Sequence, residues 1–360
     1  MNCKILEQRR NKVRQLMHNQ QLEALLICLP ANRYYLSAFE LHDPQPNESS
    51  GYLLLRANGE DLLYTDSRYL DAARRLWKEE NIRIYGSLAM AAETINKELQ
   101  GNIPAEKFVG FEAKIMPVHF FQTFSQNLAV KPADGLVETL RIIKDAEEIA
   151  LMRESARLNH QLMEYVPSLL VPGKTEAAVA WEIEQFFRNH GASENAFAPI
   201  VAVGPNAALP HAIPGEDEIL PQCPVLIDVG ARYKDYNSDQ TRSFWVGKNP
   251  SPEFSRALSQ VQTAQAQAIK AIKPGVKCSD VYAVARNYLA AQGVDKFFTH
   301  GLGHGVGLET HEAPSLNPRS QQVLAPGMIV TVEPGLYYPE WGGIRWEYMI
   351  LVTHDGCEVL

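Results

Sequence analysis

The sequence is short of the features that most simply assign a protein to a class. Its 360 residues hold five cysteines, at 3, 28, 223, 278 and 357, and no Cys-x-x-Cys pair. An odd number at wide spacing argues against a disulfide framework and predicts free thiols in a reducing compartment. No run approaches ~18 uninterrupted apolar residues, so no membrane span is expected. The opening MNCKILEQRRNKVRQLM is charged throughout and lacks an apolar core, so no signal peptide is predicted. Positive charge is not in excess: 34 Lys plus Arg face 42 Asp plus Glu, a formal net charge of -8. Such a chain has no electrostatic footprint for nucleic acid or for an anionic membrane. Low-complexity tracts and sequence-level repeats are also absent. What remains is a cytoplasmic, soluble protein, with 46% hydrophobic and 21% charged residues, too apolar for disorder. At roughly 150 residues per domain the length predicts two domains.

The first third reads as alternating helices and strands, an α/β pattern. Helical spacing covers 5–20, and LEALLIC (22–28) is an apolar run of strand length. YLLLR and DLLYT (52–56 and 61–65) flank ANGE and predict a hairpin turning at Gly59. SRYLDAARRLWKEE predicts a helix, NIRIYG a strand and LAMAAETINKEL a further helix. HDPQPNESSG (42–51) is dense in turn formers and predicts a loop. The pattern breaks near 128–135, placing one domain at 1–130 and a second at 131–360. A long helix is expected over 136–166, with Asp145, Glu147 and Glu148 suited to a first turn. A second helix follows Pro172-Gly173, with Thr175 as N-cap and Gly191 as its stop. Two more are predicted at about 252–273 and 278–292.

Chemistry concentrates in three segments of the second domain. PVLIDVGARYKDYNSDQTRSFWVG (224–247) reads as a hairpin that brings Asp228 and Asp239 together. THGLGHGVGLETHEAP (299–314) carries His300, His304 and His311. GMIVTVEPGLYYPEWGGIRWEYMILV (327–352) reads as a second hairpin, setting Glu333 beside Glu347. A carboxylate among apolar strand residues needs a partner, because unpaired burial is costly. Glu347 has two readings, an ion pair with Arg345 or a place in a shared site. His300 and His304 have the i, i+4 spacing of a zinc helix, but glycines at 301, 303, 305 and 307 would break it. Glycine at alternate positions predicts an extended segment approached closely by backbone or substrate. Four carboxylates and one imidazole suit a pair of hard or borderline dications, which would cancel the repulsion of the acids. Such pairs, about 3.5–4 Å apart, polarise carbonyls and activate water.

These segments resemble the signature of the metal-dependent pita-bread peptidases, the M24 family that includes methionine aminopeptidase, aminopeptidase P and prolidase. The ligand order Asp, Asp, His, Glu, Glu maps onto Asp228 in LIDVG, Asp239 in NSDQTR, His304 in GHGVGL, Glu333 in TVEPG and Glu347 in GIRWE. The intervals of 11, 65, 29 and 14 residues resemble the proline-specific branch. The family's accessory histidines match His211 in ALPHA and His311 in LETHEAP. The N-terminal third is similar to the creatinase/prolidase N-domain through RYYLSAF (33–39) and TDSRY (65–69). The implied fold is an α/β N-terminal domain followed by an α+β pita-bread catalytic domain. One departure is visible: Tyr348 follows the last ligand where members often carry an acid. The 42–51 loop is longer than usual, an element suited to shaping substrate access.

The resemblance implies hydrolysis of Xaa-Pro bonds, in dipeptides or at the N-terminus of longer peptides, by a homodimer binding two divalent ions per chain. Mn²⁺ is favoured by ligand hardness, with Co²⁺ or Zn²⁺ as alternatives. Asp228 is expected to chelate one ion, Asp239 and Glu347 to bridge, and His304 and Glu333 to complete the second. Glu333 doubles as general base, while His211 and His311 stabilise the tetrahedral intermediate. Arg345 is expected to order Glu347, and Arg319 is either a contact for a substrate carboxylate or a solvated loop residue. Two alternatives on the same fold, a metal-free creatinase-like hydrolase and a non-catalytic peptide-binding module, would both be marked by lost ligands.

Overall fold

The computed structural model describes residues 3–45, 48–100, 102–104 and 106–360, without the side chains of Leu88 and Ala89. Two compact units divide between Arg141 and Ile142.

The first unit is a mixed six-stranded sheet. Its order is Ile82–Ile84, Leu62–Thr65, Gly51–Arg56, Leu22–Ile27, Phe108–Phe111 and Val130–Pro132. The hairpin of Gly51–Arg56 and Leu62–Thr65 is present, and Gly59 at its turn has φ 103°, which a side chain would resist. Strand alternation splits the core. Ala24, Leu26, Tyr52, Leu54, Leu62 and Tyr64 pack under the helix Leu88–Leu99 through Ala91, Ala92, Ile95 and Leu99. The expected 67–80 helix breaks into a 3₁₀ turn, Ser67–Tyr69, a short helix, Leu70–Arg74, and a second 3₁₀ turn, Glu79–Asn81. Trp77 drives the break. It turns inward onto Phe39, Leu63, Ala73 and Ile82, gaining more from burial than a continuing solvated helix would. In the 42–51 loop, Pro46 and Asn47 lie outside the described residues. The remainder is tied to the fully buried Arg33, whose guanidinium donates to Gly51 O, Glu40 O and Asp43 Oδ1 at 2.6, 2.6 and 2.9 Å.

The helix expected over 136–166 is interrupted. Glu138–Arg141 closes the first unit, and Ala146–Leu169 opens within the second. Asp145 caps the latter by accepting from the Glu147 and Glu148 amides, while the Glu148 carboxylate accepts from the Asp145 amide. This capping box starts a new helix where a run of good helix formers reads as one.

The second unit contains two helix pairs, each backing a sheet. Ala146–Leu169 and Glu176–Asn189 cover a three-stranded sheet of Ile200–Val203, Cys223–Val229 and Gln240–Val246. Pro252–Ala271 and Cys278–Ala291 cover a five-stranded sheet of Glu312–Leu316, Gly303–Gly305, Ile329–Val332, Tyr348–Val352 and Cys357–Val359. Val225, Ile227 and Val229 face their helices, as do Val330, Val332, Ile350 and Val352. Period-two alternation therefore turns Asp228, Thr331 and Met349 to the opposite faces.

Candidate metal centre

His211, Asp228, Asp239, His304, His311, Glu333 and Glu347 all line one cavity of about 680 Å³ in the second unit. Arg319 does not line it; that side chain is exposed on a loop.

Asp228 stands on Cys223–Val229, opposite Thr241. Asp239 immediately precedes the partner strand, so the hairpin between them returns both carboxylates to one end. His304 lies in the middle of Gly303–Gly305, and its glycine neighbours have a steric reason to be glycine. A Cβ at Gly303 would stand 2.0 Å from Thr331 O, and one at Gly305 2.2 Å from Ala313 O. The extended, closely approached backbone expected from the alternating glycines is what the structure shows.

The second strand expected in 327–352 is in fact two, and the expected connection holds a further strand, Gly335–Tyr338. Ile329–Val332 pairs with Tyr348–Val352, and Gly335–Tyr338 with Gly342–Arg345, as a separate hairpin. The register that pairs Val332 with Tyr348 and Gly335 with Arg345 sets Glu333 opposite Glu347 in the gap between the two ladders. Pro334, which has no N–H, prevents an unbroken ladder here. Other groups satisfy the backbone of the gap. The Glu333 amide donates to Leu302 O at 2.8 Å and the Glu347 amide to Thr241 O at 3.1 Å. Buried Gln265 donates to Val332 O at 2.8 Å and Trp346 O at 2.9 Å, tying down the residue before each glutamate.

His304 Nε2 is 3.3 Å from Glu333 Oε1 and 3.6 Å from Asp239 Oδ2. Its Nδ1 faces the Gly305 carbonyl at 3.0 Å, an acceptor that fixes the proton on Nδ1 and leaves Nε2 as the ligand atom. Ligand atoms of Asp239, His304 and Glu347 all lie within 4.8 Å of one another. Glu347 Oε2 accepts from Thr241 Oγ1 at 2.6 Å. Arg345 does not pair with Glu347, correcting the first reading of that acid. Its Nη2 donates to Asp228 Oδ2 at 2.6 Å, while its Nε reaches Thr241 Oγ1 at 3.1 Å, so it touches Glu347 only through that hydroxyl.

The electrostatics describe a site short of positive charge. Burial and then the charge of Glu347 push Asp239 well above the carboxylate range; burial and then Glu333 and Asp228 do the same to Glu347. Burial opposes the His304 cation, but Glu333 outweighs it and lifts the imidazole to about 9. Burial likewise opposes ionisation of Glu333, but His304 holds it at about 2. Asp228 Oδ1 is buried with no hydrogen-bond partner. Four hard oxygen donors, one oriented imidazole and an orphaned carboxylate oxygen fit divalent cations.

A polar chain lines the same cavity, linking Arg345 and His300 through Tyr337, a residue that no sequence signal reached. Arg345 Nη1 donates to Tyr337 Oη at 2.9 Å, and Tyr337 Oη lies 2.8 Å from His300 Nε2. His300 Nδ1 faces Gly301 O at 2.7 Å, so the Tyr337 hydroxyl donates to Nε2 and the ring is neutral. Burial lowers the His300 pKa in agreement with that arrangement. His211 and His311 are exposed at the cavity, and the His311 ring stands 4.2 Å from that of His304.

Comparison with known proteins accounts for this geometry. The model of metallopeptidase family M24 matches residues 150–354, and that of the creatinase/prolidase N-terminal domain matches 9–143. The chain belongs to metallopeptidase family M24. It is 32% identical to a Xaa-Pro dipeptidase of Pyrococcus horikoshii over 99% of this chain and 97% of that one. A solved Xaa-Pro dipeptidase from Bacillus anthracis superposes with TM-score 0.89 at 33% identity, covering 98% and 97% of the two chains. A solved X-Pro aminopeptidase from Thermotoga maritima gives 0.86 at 29%, covering 97% and 96%. The α/β N-terminal domain and the pita-bread domain expected from the sequence are thus both present, and the chain is a metallo-exopeptidase by family. No helix among the described residues is long and apolar enough to cross a membrane.

Proposed function

We propose that this M24 peptidase hydrolyses the bond between an N-terminal residue and a following proline, using two divalent ions, most suitably Mn²⁺. The observation that carries this reading is the convergence of Asp228, Asp239, His304, Glu333 and Glu347 on one cavity, in a chain whose relatives are named for Xaa-Pro cleavage. Those five side chains would hold the ions. The ions would supply Lewis-acid polarisation of the scissile carbonyl and a more acidic nucleophilic water.

The remaining work falls to the protein. Glu333 takes a proton from the attacking water on its carboxylate and returns it to the proline nitrogen. His211 and His311 stand at the exposed side of the cavity, where they orient the carbonyl and stabilise the charge that develops on its oxygen. Arg345 holds the Asp228 carboxylate in place through its 2.6 Å contact. Proline makes this chemistry fitting, because an Xaa-Pro bond is a tertiary amide without the N–H that strand-gripping peptidases use.

Steady-state turnover of Ala-Pro, Ala-Pro-Gly and Ala-Ala by Mn²⁺-loaded protein tests the reading. Cleavage of either proline substrate, with Ala-Ala at least ~100-fold slower, supports it; equal turnover of Ala-Ala contradicts it. The ratio of dipeptide to tripeptide turnover separates dipeptidase from aminopeptidase. Mass measurement in solution tests the homodimer.

A further inference from the structure

The strand alternation that points Arg345 and Glu347 into the cavity points Trp346 and Tyr348 the other way, and both rings meet one buried cation. The Arg242 guanidinium carbon lies 4.3 Å from the Trp346 ring centroid and 4.1 Å from that of Tyr348. Arg242 is only 6% exposed, and no carboxylate among the described residues forms an ion pair with it. Its Nη1 donates to the carbonyls of Thr241 and Glu347, at 2.8 and 2.5 Å. Buried arginine normally needs an anion in contact; here two aromatic faces and two carbonyls make the contacts, and the Glu347 charge supports the cation from beyond ion-pair distance.

The neighbours of Arg242 work on the same segment from the other face. Thr241 Oγ1 donates to the Glu347 carboxylate, and Ser243 Oγ accepts from the Arg345 amide at 3.1 Å. Three consecutive side chains of one strand therefore hold residues 345–347, at the gap that 346 and 347 leave between the two ladders. Arg242 is the member that holds the Glu347 backbone, and its own position depends on the two rings.

We propose that Trp346 and Tyr348 clamp Arg242, and that Arg242 sets the backbone position of the ligand Glu347, making all three positioning residues of the metal centre. The inference rests on the reading that Glu347 is a ligand. Tyr348, the position that departs from the family pattern, then has a function: its π face supplies the attraction that an acid would supply through charge. An aromatic face tolerates burial beside Trp346 at a lower desolvation cost than a carboxylate.

The test compares Tyr348→Phe, which keeps the ring, with Tyr348→Leu, which removes it. Mn²⁺ affinity is measured by electron paramagnetic resonance of the free ion, together with kcat and KM for Ala-Pro and thermal unfolding of metal-free protein. Tyr348→Leu is expected to weaken Mn²⁺ binding and lower kcat by ~10-fold or more, with KM little changed, whereas Tyr348→Phe stays within ~3-fold of wild type. Trp346→Leu gives a second reading of the same clamp if Tyr348→Leu fails to fold. Wild-type affinity in a folded Tyr348→Leu protein overturns the inference, as does equal loss in the Phe and Leu variants. Failure of wild-type protein itself to bind Mn²⁺ refutes the metal-centre reading instead.

Discussion

At the residue scale, Arg345 shows how one cation serves several groups. It pairs with Asp228, supports the hydroxyl that Glu347 accepts, and anchors Tyr337. Arg345→Ala would leave Asp228 buried beside three other acids, and kcat/KM is expected to fall about 10–100-fold. Lysine should rescue only part of this, because a point charge cannot make the forked contacts. Steady-state kinetics of the two variants checks both statements.

Glu112 gives a prediction about stability remote from that site. Its carboxylate is 3% exposed and accepts from the Cys28 and Leu29 amides and from Asn32 Nδ2, each at 2.6 Å. It thereby caps the helix Pro30–Ser37, whose own N-cap residue, Leu29, has no side chain able to do so. Burial raises Glu112 to about 7 against those three donors. A folded pKa above the unfolded value means that the native state binds the extra proton. The stabilisation is therefore complete below the unfolded pKa and is lost as pH rises through 7. Between pH 5 and 8 this amounts to about 2–3 kcal/mol. Denaturant unfolding should show stability of the first unit falling across that range, and Glu112→Gln should flatten the slope. An unchanged slope in the variant contradicts the assignment.

At the scale of elements, the site is built where regular structure stops. Asp239 precedes its strand, and Glu333 and Glu347 occupy the gap between two ladders. The five proposed ligand positions were singled out because Asp228, Glu333 and Glu347 each interrupt an apolar run, and because all five, Asp239 and His304 included, sit in segments that resemble the family signature. The gap itself was not legible. Residues 344–352 are apolar enough to read as one unbroken strand, and the Pro- and Gly-rich 334–343 reads as a connection and hides the strand Gly335–Tyr338. Gln265, which fills the gap, reads from QTAQAQAIK as an ordinary solvated helix position, since the register of a helix against a distant sheet is not written locally. Thr241 had a weak signal, being two residues from Asp239 and so on the same strand face. The glycine pattern around His304 was fully legible and makes a sharp prediction. Gly303→Ala would push its strand away from Thr331 and move His304 from Glu333. It is expected to destabilise the fold by about 1–3 kcal/mol and to weaken Mn²⁺ binding as well. Chemical denaturation and metal titration measure the two effects.

At the scale of the whole molecule, no helix among the described residues is long and apolar enough to cross a membrane, and the chain divides into two units with separate cores. The helix run over 136–166 hid the division between Arg141 and Ile142, because the capping box at Asp145 is a local event inside a continuous helical pattern. The formal charge of -8 is partly concentrated at one place: five of the 42 acids, Asp228, Asp239, Glu312, Glu333 and Glu347, line a single cavity, two of them with strongly raised pKa values. That concentration is costly for a metal-free fold and becomes favourable once cations bind. The decisive measurement is Xaa-Pro turnover and bound metal, by elemental analysis, in wild-type protein and Asp239→Asn, each stripped by chelation and reloaded with Mn²⁺. The account predicts about two ions per wild-type chain, activity lost on stripping and regained on reloading, and neither full metal content nor turnover in Asp239→Asn. Full activity in the variant, or in stripped wild-type protein, would contradict it.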